Sequence, residues 1–345
     1  MMKTSKIAWL GALFLSVVIS ASAQAESVSA AAPTSPAPTA GAKELKLATI
    51  APAGSSWDKI VSAMNDELKQ KTNGAVQFKV YAGGVQGDEK AVVQKIRSGQ
   101  LQAGGFTGFG LGLIAPAVRV LEVPFLFKDA AEIDSKTASV TPQLTAALSS
   151  GNPPVELLGW AEAGFVYIMS NKPIAKMTDM KGLKMWMWEG DPVAEALYNA
   201  LGVVPIQLSI ADVLTSLQTN MIEAVYAPPM GAVALQWASK VKYITDLPIV
   251  NSIGALVVSK SEFNKLTPEQ RKITKEVGAK YCRQIVEQTR KDNEAALTAI
   301  LKLGVQKVSV AEADKQELMK ITADVGQKLV GKLYSQDLLA KVSSK

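Results

Sequence analysis

Residues Leu183–Leu208 read LKMWMWEGDPVAEALYNALGVVPIQL, and the three parts of this stretch set the fold class. Leu183–Trp188 is an apolar run of strand length. Asp191 before Pro192 is a helix N-cap followed by a proline in the first turn, where its missing N–H costs nothing, so a helix is predicted over Pro192–Leu201. Val203–Leu208 is a second apolar run. Strand, helix and strand in so short a stretch are the repeating unit of a parallel sheet with helices on its faces.

The same alternation continues on both sides. Downstream, Ser209–Thr219 is predicted as a helix and Ala224–Ala227 as a strand, and Thr267-Pro268-Glu269-Gln270 caps a helix reaching about Leu303. Val305–Val308 is predicted as one more strand, with a helical tail after it. Upstream, Leu45–Ile50, Val76–Tyr81 and Ala103–Thr107 are predicted as strands. Ser55 opens a helix whose apolar face is Trp57, Ile60, Val61, Met64 and Leu68, and a second helix is predicted from about Gly87 to Ser98. A long helix from Asp129 to Ser149, bent at Pro142, precedes two predicted strands, Val155–Trp160 and Gly164–Ser170. In such α/β folds ligands collect beyond the carboxyl ends of the strands, here in a cleft between two lobes.

The N-terminus reads as an export signal, residues 1–25. Lys3 and Lys6 precede an apolar run, Ile7 to Ser20, and the small residues Ala23-Gln24-Ala25 follow. The run of about 14 residues is shorter than the roughly 20 that cross a bilayer. Residues 26 to about 42 are Ala, Pro, Ser and Thr with one charge, too poor in bulky apolar groups to order themselves, and are expected to be a flexible leader. The remaining body is long enough for two domains.

Composition narrows the chemistry. The formal charge of +6 falls to +4 without Lys3 and Lys6, with no basic block, so nucleic acid is not an expected partner. The chain has no histidine and one cysteine, which removes the commonest general base, the commonest transition-metal ligand and any internal disulfide. Cys282, at helical spacing from Tyr281 and Ile285, reads as core. No metal or cofactor is expected, and no enzyme activity. The glycine-rich run Gly104–Gly112 lacks the lysine of a phosphate loop and the spacing of a dinucleotide loop, so its glycines point to close backbone approach instead. Glu189 and Asp191 could form an acid–base pair, but Asp191 is more simply a cap.

Several segments carry a resemblance. They include Gly83-Gly84-Val85-Gln86-Gly87-Asp88-Glu89, Ile96-Arg97-Ser98-Gly99-Gln100-Leu101, Pro124-Phe125-Leu126-Phe127, Ser170-Asn171-Lys172-Pro173-Ile174, Thr178–Met185, 199–206 (NALGVVPI) and Leu217-Gln218-Thr219-Asn220. In this order and spacing the body resembles the periplasmic solute receptors of tripartite ATP-independent periplasmic (TRAP) transporters, in the dicarboxylate-receptor branch. The resemblance implies a two-lobed binding protein with a long hinge helix that closes over a small organic solute. It would then dock on a membrane permease driven by an ion gradient. It also implies lobes discontinuous in sequence: residues 43–163 with about 252–291, and 164–251 with about 292–345. Two rival readings are a periplasmic accessory of an efflux or sensing system and an exported enzyme on the same scaffold.

The arginines that usually grip a carboxylate in this family fall at Trp186 and Val166 here. A guanidinium fork binds a carboxylate directionally, and neither indole nor isopropyl replaces it. A simple dicarboxylate is therefore not the expected solute. The expected ligand-binding residues are Trp57, Thr107, Glu162, Trp186, Trp188, Glu189 and Tyr226, a set suited to a neutral, aromatic or cationic molecule.

Overall fold

The computed structural model describes residues 42–344, which fall in one compact unit of the chain. The expected signal segment and, apart from Ala42, the expected leader lie outside the described residues. The first half alternates strand and helix: β1 (Lys43–Thr49), α1 (Ser56–Lys71), β2 (Val76–Tyr81), α2 (Glu89–Arg97), β3 (Ala103–Thr107), α3 (Gly108–Ile114) and α4 (Ala130–Ser149). Local chemistry sets these boundaries. The Ser55 hydroxyl accepts from the Asp58 N–H at the start of α1, and the Asp88 and Asp129 carboxylates do the same for α2 and α4.

The chain then enters β4 (Val155–Ser170), one 16-residue strand where two were expected. The break anticipated near Ala163 is a β-bulge: register shifts between Glu162 and Gly164, and Gly164 has φ +105°, a conformation closed to most side chains. The bulge bends the strand without ending it. The second half comprises β5 (Lys184–Met187), α5 (Pro192–Leu201), β6 (Val204–Gln207), α6 (Val213–Gln218), β7 (Ala224–Ala227), α7 (Pro229–Ala234), β8 (Tyr243–Thr245) and β9 (Val250–Ser259). The rest is α8 (Lys260–Phe263), α9 (Pro268–Lys302), β10 (Gln306–Val308), α10 (Glu312–Lys328) and α11 (Gln336–Ser343).

The strands form a mixed sheet in the order β2-β1-β3-β9-β4-β7-β5-β6, with β8 beside β4 and β10 beside β8. Pairing is parallel within β2-β1-β3, β7-β5-β6 and β8-β10. The antiparallel strands β9 and β4 join the two parallel parts, and β4 pairs with β9 along its first part and with β7 along its last. Strand β9 was not anticipated; its apolar run Ile253–Val258 is buried almost throughout, so it shows no strand alternation.

Helix α9, 35 residues long, starts from a complete capping box between Thr267 and Gln270 and packs along β4 and α1. Cys282 on it is 1% exposed against Gly159 of β4, and burial pushes its thiol up to about 12, so it is inert core. Helix α10 packs on α5, whereas α11 returns to α4, where Leu338, Leu339 and Val342 join Val140, Leu144 and Leu148 in one cluster. Among the described residues no helix is long and apolar enough to cross a membrane, and no cluster of acidic, histidine or cysteine side chains could hold a metal.

Candidate functional site

The carboxyl ends of β3, β5 and β7 converge on a cavity of about 80 Å³ lying against the junction strands β4 and β9. Its first wall comes from Thr107, Phe109 and the 3₁₀ turn Pro116–Glu122, which contributes Arg119 and Glu122; its second comes from Trp188, Asp191, Tyr198 and Tyr226. Val166 of β4 and Val250 and Ser252 of β9 also line it.

The centre of the site is charged. The Arg119 guanidinium is 5% exposed; Nη1 lies 3.0 Å from Glu122 Oε2, and Nη2 lies 2.9 and 3.1 Å from the two Asp191 oxygens. Asp191 has a second duty. Its Oδ1 accepts from the Val193 N–H at 2.9 Å, so the cap that starts α5 is also the counterion of Arg119. Glu122 Oε1 accepts from the Ile253 N–H at 3.2 Å. Burial disfavours the Arg119 charge, but Asp191 and Glu122 more than offset it and its pKa rises. Burial also raises the pKa of Glu122, only partly countered by Arg119.

Two buried side-chain donors here have no acceptor among the described residues: Arg119 Nε and the hydroxyl of Tyr226, whose oxygen itself accepts from the Trp188 N–H.

Behind the first wall, Glu89 is 1% exposed and accepts from the Thr107 N–H at 2.5 Å, the Thr107 hydroxyl at 2.7 Å and the Gly110 N–H at 2.8 Å. These bonds fix the turn from β3 into α3. Burial nonetheless dominates, and the carboxyl is pushed up to about 7. The glycine run has its reason here. A β-carbon on Gly108 would overlap the Glu122 carboxylate, and one on Gly110 would overlap Glu89.

The second wall is aromatic. Trp188 stacks on Phe109 with centroids 5.1 Å apart, and Tyr226 stacks on Trp186 at 5.0 Å. The Tyr198 hydroxyl donates to the Trp186 carbonyl at 2.7 Å.

Of the seven residues singled out from the sequence, Thr107, Trp188 and Tyr226 lie on the cavity wall. The other four do not. Trp57 packs under α9 and donates from its indole to Thr289 Oγ1 at 2.6 Å. Glu162 is held by Arg290 at 2.7 Å on the opposite face of the sheet. Trp186 is 2% exposed among Trp237, Trp188 and Tyr226, with its indole N–H on the Leu208 carbonyl, so it backs the wall instead of facing the cavity. Glu189 points outward to Lys90 at 3.0 Å. Whatever the residues at Trp186 and Val166, a guanidinium does reach the cavity, from Arg119 on a different segment, and sequence reasoning missed it. The sequence carried a signal for it: Arg119 and Glu122 are the only charges in the apolar stretch 111–127, and a charge buried in such a run needs a partner or a task.

Residues 47–333 match the family described as bacterial extracellular solute-binding protein, family 7. In a structure of a TRAP periplasmic solute-binding protein from Pseudomonas putida F1, solved with bound D-glucuronate, the two chains align with a TM-score of 0.81 and 26% identity over 88% of this chain and 97% of that one. A TRAP periplasmic solute-binding protein from Ralstonia eutropha H16, solved with (S)-2-acetolactate, gives a TM-score of 0.80 and 26% identity over 87% and 97%. The 2,3-diketo-L-gulonate-binding periplasmic protein of Escherichia coli K12 is 28% identical over 59% of this chain, a stretch spanning 62% of that relative and so under two thirds of its length. With the matched family covering all of the sheet but the first residues of β1, and the cavity at its centre, the chain belongs to the family 7 extracellular solute-binding proteins, the periplasmic receptors of TRAP transporters, which bind solutes and are not enzymes.

Proposed function

We propose that this receptor captures a small organic acid bearing one carboxylate and delivers it to a TRAP permease after export by a cleaved signal. The observation that carries the reading is the buried guanidinium of Arg119 on the lining of a cavity otherwise walled by the rings of Phe109, Trp188, Tyr198 and Tyr226. A carboxylate or an α-oxo group would meet the guanidinium, and the body of the solute would lie along Trp188 and Phe109. The relatives solved with D-glucuronate and acetolactate hold molecules of this class.

The charge count argues for one carboxylate and not two. Arg119 already faces Asp191 and Glu122, so a dianion would add two negative charges where one guanidinium is doubly compensated. The solute expected from the aromatic residues alone, neutral or cationic, is replaced by a monoacid because the cavity contains this guanidinium.

The test is a titration of the purified chain, followed by tryptophan fluorescence through Trp188, with D-glucuronate, acetolactate, succinate, glucose and choline. Micromolar binding of at least one monoacid, lost in Arg119→Met, is expected. Tight binding of choline or succinate with no response to either monoacid would overturn the proposal.

A further inference from the structure

Two contacts cross the solute cavity and hold its walls at a fixed distance. Arg119 of the first wall is bound to Asp191 of the second at 2.9 Å, and Phe109 of the first stacks on Trp188 of the second with planes 16° apart. Rings in that arrangement are already in contact, so no further group fits between them. The space that remains is about 80 Å³. A dry cavity of about 150 Å³ in a protein core holds one benzene, so this one is filled by something smaller than a ring.

A smaller cavity, about 30 Å³, lies next to it. Pro124, Leu197, Tyr198 and Ile249 line both, so these four side chains are the partition between them. Beyond the partition the lining is mainly aliphatic, including Ile168, Ile174, Met180 and Leu201, and the Thr245 and Thr322 hydroxyls are spent on the carbonyls of Ile174 and Leu318. Lys176, also on this lining, is an exposed residue. The partition is fixed by the backbone. Phe125 has φ +56°, a conformation uncommon for a ring-bearing residue, and its N–H donates to the Ile249 carbonyl at 2.8 Å, which locks the Pro124-Phe125 segment against β9.

We infer that the site selects a short-chain monocarboxylic acid with an apolar tail of about one to three carbons, directed at this partition, and rejects sugar acids and ring-bearing acids. The inference rests on Arg119 as the anchor of the carboxylate. Size is the first reason: the D-glucuronate bound in the Pseudomonas putida relative is itself larger than benzene. Polarity is the second. Away from the Arg119 cluster, the Thr107 hydroxyl is spent on Glu89 and that of Tyr198 on the Trp186 carbonyl, and Val166, Val193, Leu197 and Val250 make up much of the remaining wall. The hydroxyls of a sugar acid would give up water for that wall without replacement, whereas an aliphatic tail gains from leaving water.

The purified chain would be titrated calorimetrically with 2-oxobutanoate, 2-oxohexanoate, phenylpyruvate and D-glucuronate. Wild type should bind 2-oxobutanoate at least tenfold more tightly than the other three. Leu197→Ala, which opens the partition, should shift the preference at least tenfold toward 2-oxohexanoate; Ile249→Ala tests the same opening from β9 if the first variant does not fold. Tightest binding of D-glucuronate or phenylpyruvate by wild type would overturn the inference and leave the receptor for a monoacid standing. A folded partition variant that keeps the wild-type order of affinities would also overturn it. Binding of none of the four would remove the role of Arg119 on which the inference rests.

Discussion

The two walls of the solute cavity are built by different chemistry. The first, from β3, α3 and the turn 116–122, is a set of buried charges and glycines: Glu89 ties the β3–α3 turn, Gly108 leaves room for Glu122, and Arg119 projects inward. The second, from β5, α5 and β7, is a stack of rings with one carboxylate, Asp191. The charge of one wall is completed by the other, since Arg119 from the first is held by the N-cap of α5 in the second. The difference teaches that the rings can be lost piecemeal, whereas the ion cluster acts as a unit across the sheet junction.

The comparison predicts effects of graded size. Removing the guanidinium in Arg119→Ala leaves Asp191 and Glu122 buried and uncompensated; unfolding should become easier by about 3–5 kcal/mol, read by chemical denaturation, together with loss of solute binding. Arg119→Lys should restore part of the stability but not the binding, because a point charge does not reproduce the fork. If Arg119→Ala unfolds like the wild type, the two walls are independent and the contrast fails.

The rings sharpen it next. Trp186 and Trp188 leave β5 two residues apart, yet the first is core and the second lines the cavity. Trp186→Ala should cost about 3–5 kcal/mol of stability. Trp188→Ala should show its main effect in titration, as a roughly tenfold loss of solute affinity from one lost stacking surface.

Glu89 gives a pH test of the first wall. Its folded pKa, about 7, is above the ordinary value of 4.5, so between these values the folded protein holds a proton that the unfolded chain has released. Its contribution to stability is therefore fully present below pH 4.5 and is lost as pH rises through 7. The wild-type advantage over Glu89→Gln should shrink by up to ~3 kcal/mol across that window, measured by denaturation at several pH values. An advantage that grows with pH would mean that the three donors outweigh burial.

The smallest effect belongs to the rim. Lys90 of α2 and Glu189 beyond β5 pair at 3.0 Å with both side chains well exposed. Glu189→Gln should change stability by no more than about 0.5 kcal/mol, and less in high salt.

Much of the fold was legible from sequence because its signals are local. Val76–Tyr81, Ala103–Thr107, Pro192–Leu201 and Ala224–Ala227 have the bounds predicted for them, set by apolar runs and by caps such as Asp191. Strand β9 was missed because burial on both faces removed the alternation that marks a strand. The continuity of β4 was missed because a glycine bulge resembles a turn until its partner strand is seen.

The site divides along the same line. Trp188, Tyr226 and Thr107 could be picked out because residue type and strand position suffice to suggest them. Trp186 was placed wrongly because which of two rings is covered depends on Trp237, which lies about fifty residues later and packs against Trp186 at 5.0 Å. Arg119 was passed over because its partner Asp191 is 72 residues away.

The chain by itself determined the alternating α/β plan, the capped starts of helices such as α1, α5 and α9, the absence of histidine chemistry and the family resemblance, all properties of residue type and near-neighbour spacing. Only the tertiary structure decided which charges meet and what faces the cavity. An ion cluster and a shared wall are made by contacts between distant segments, and no local pattern encodes the register that brings them together.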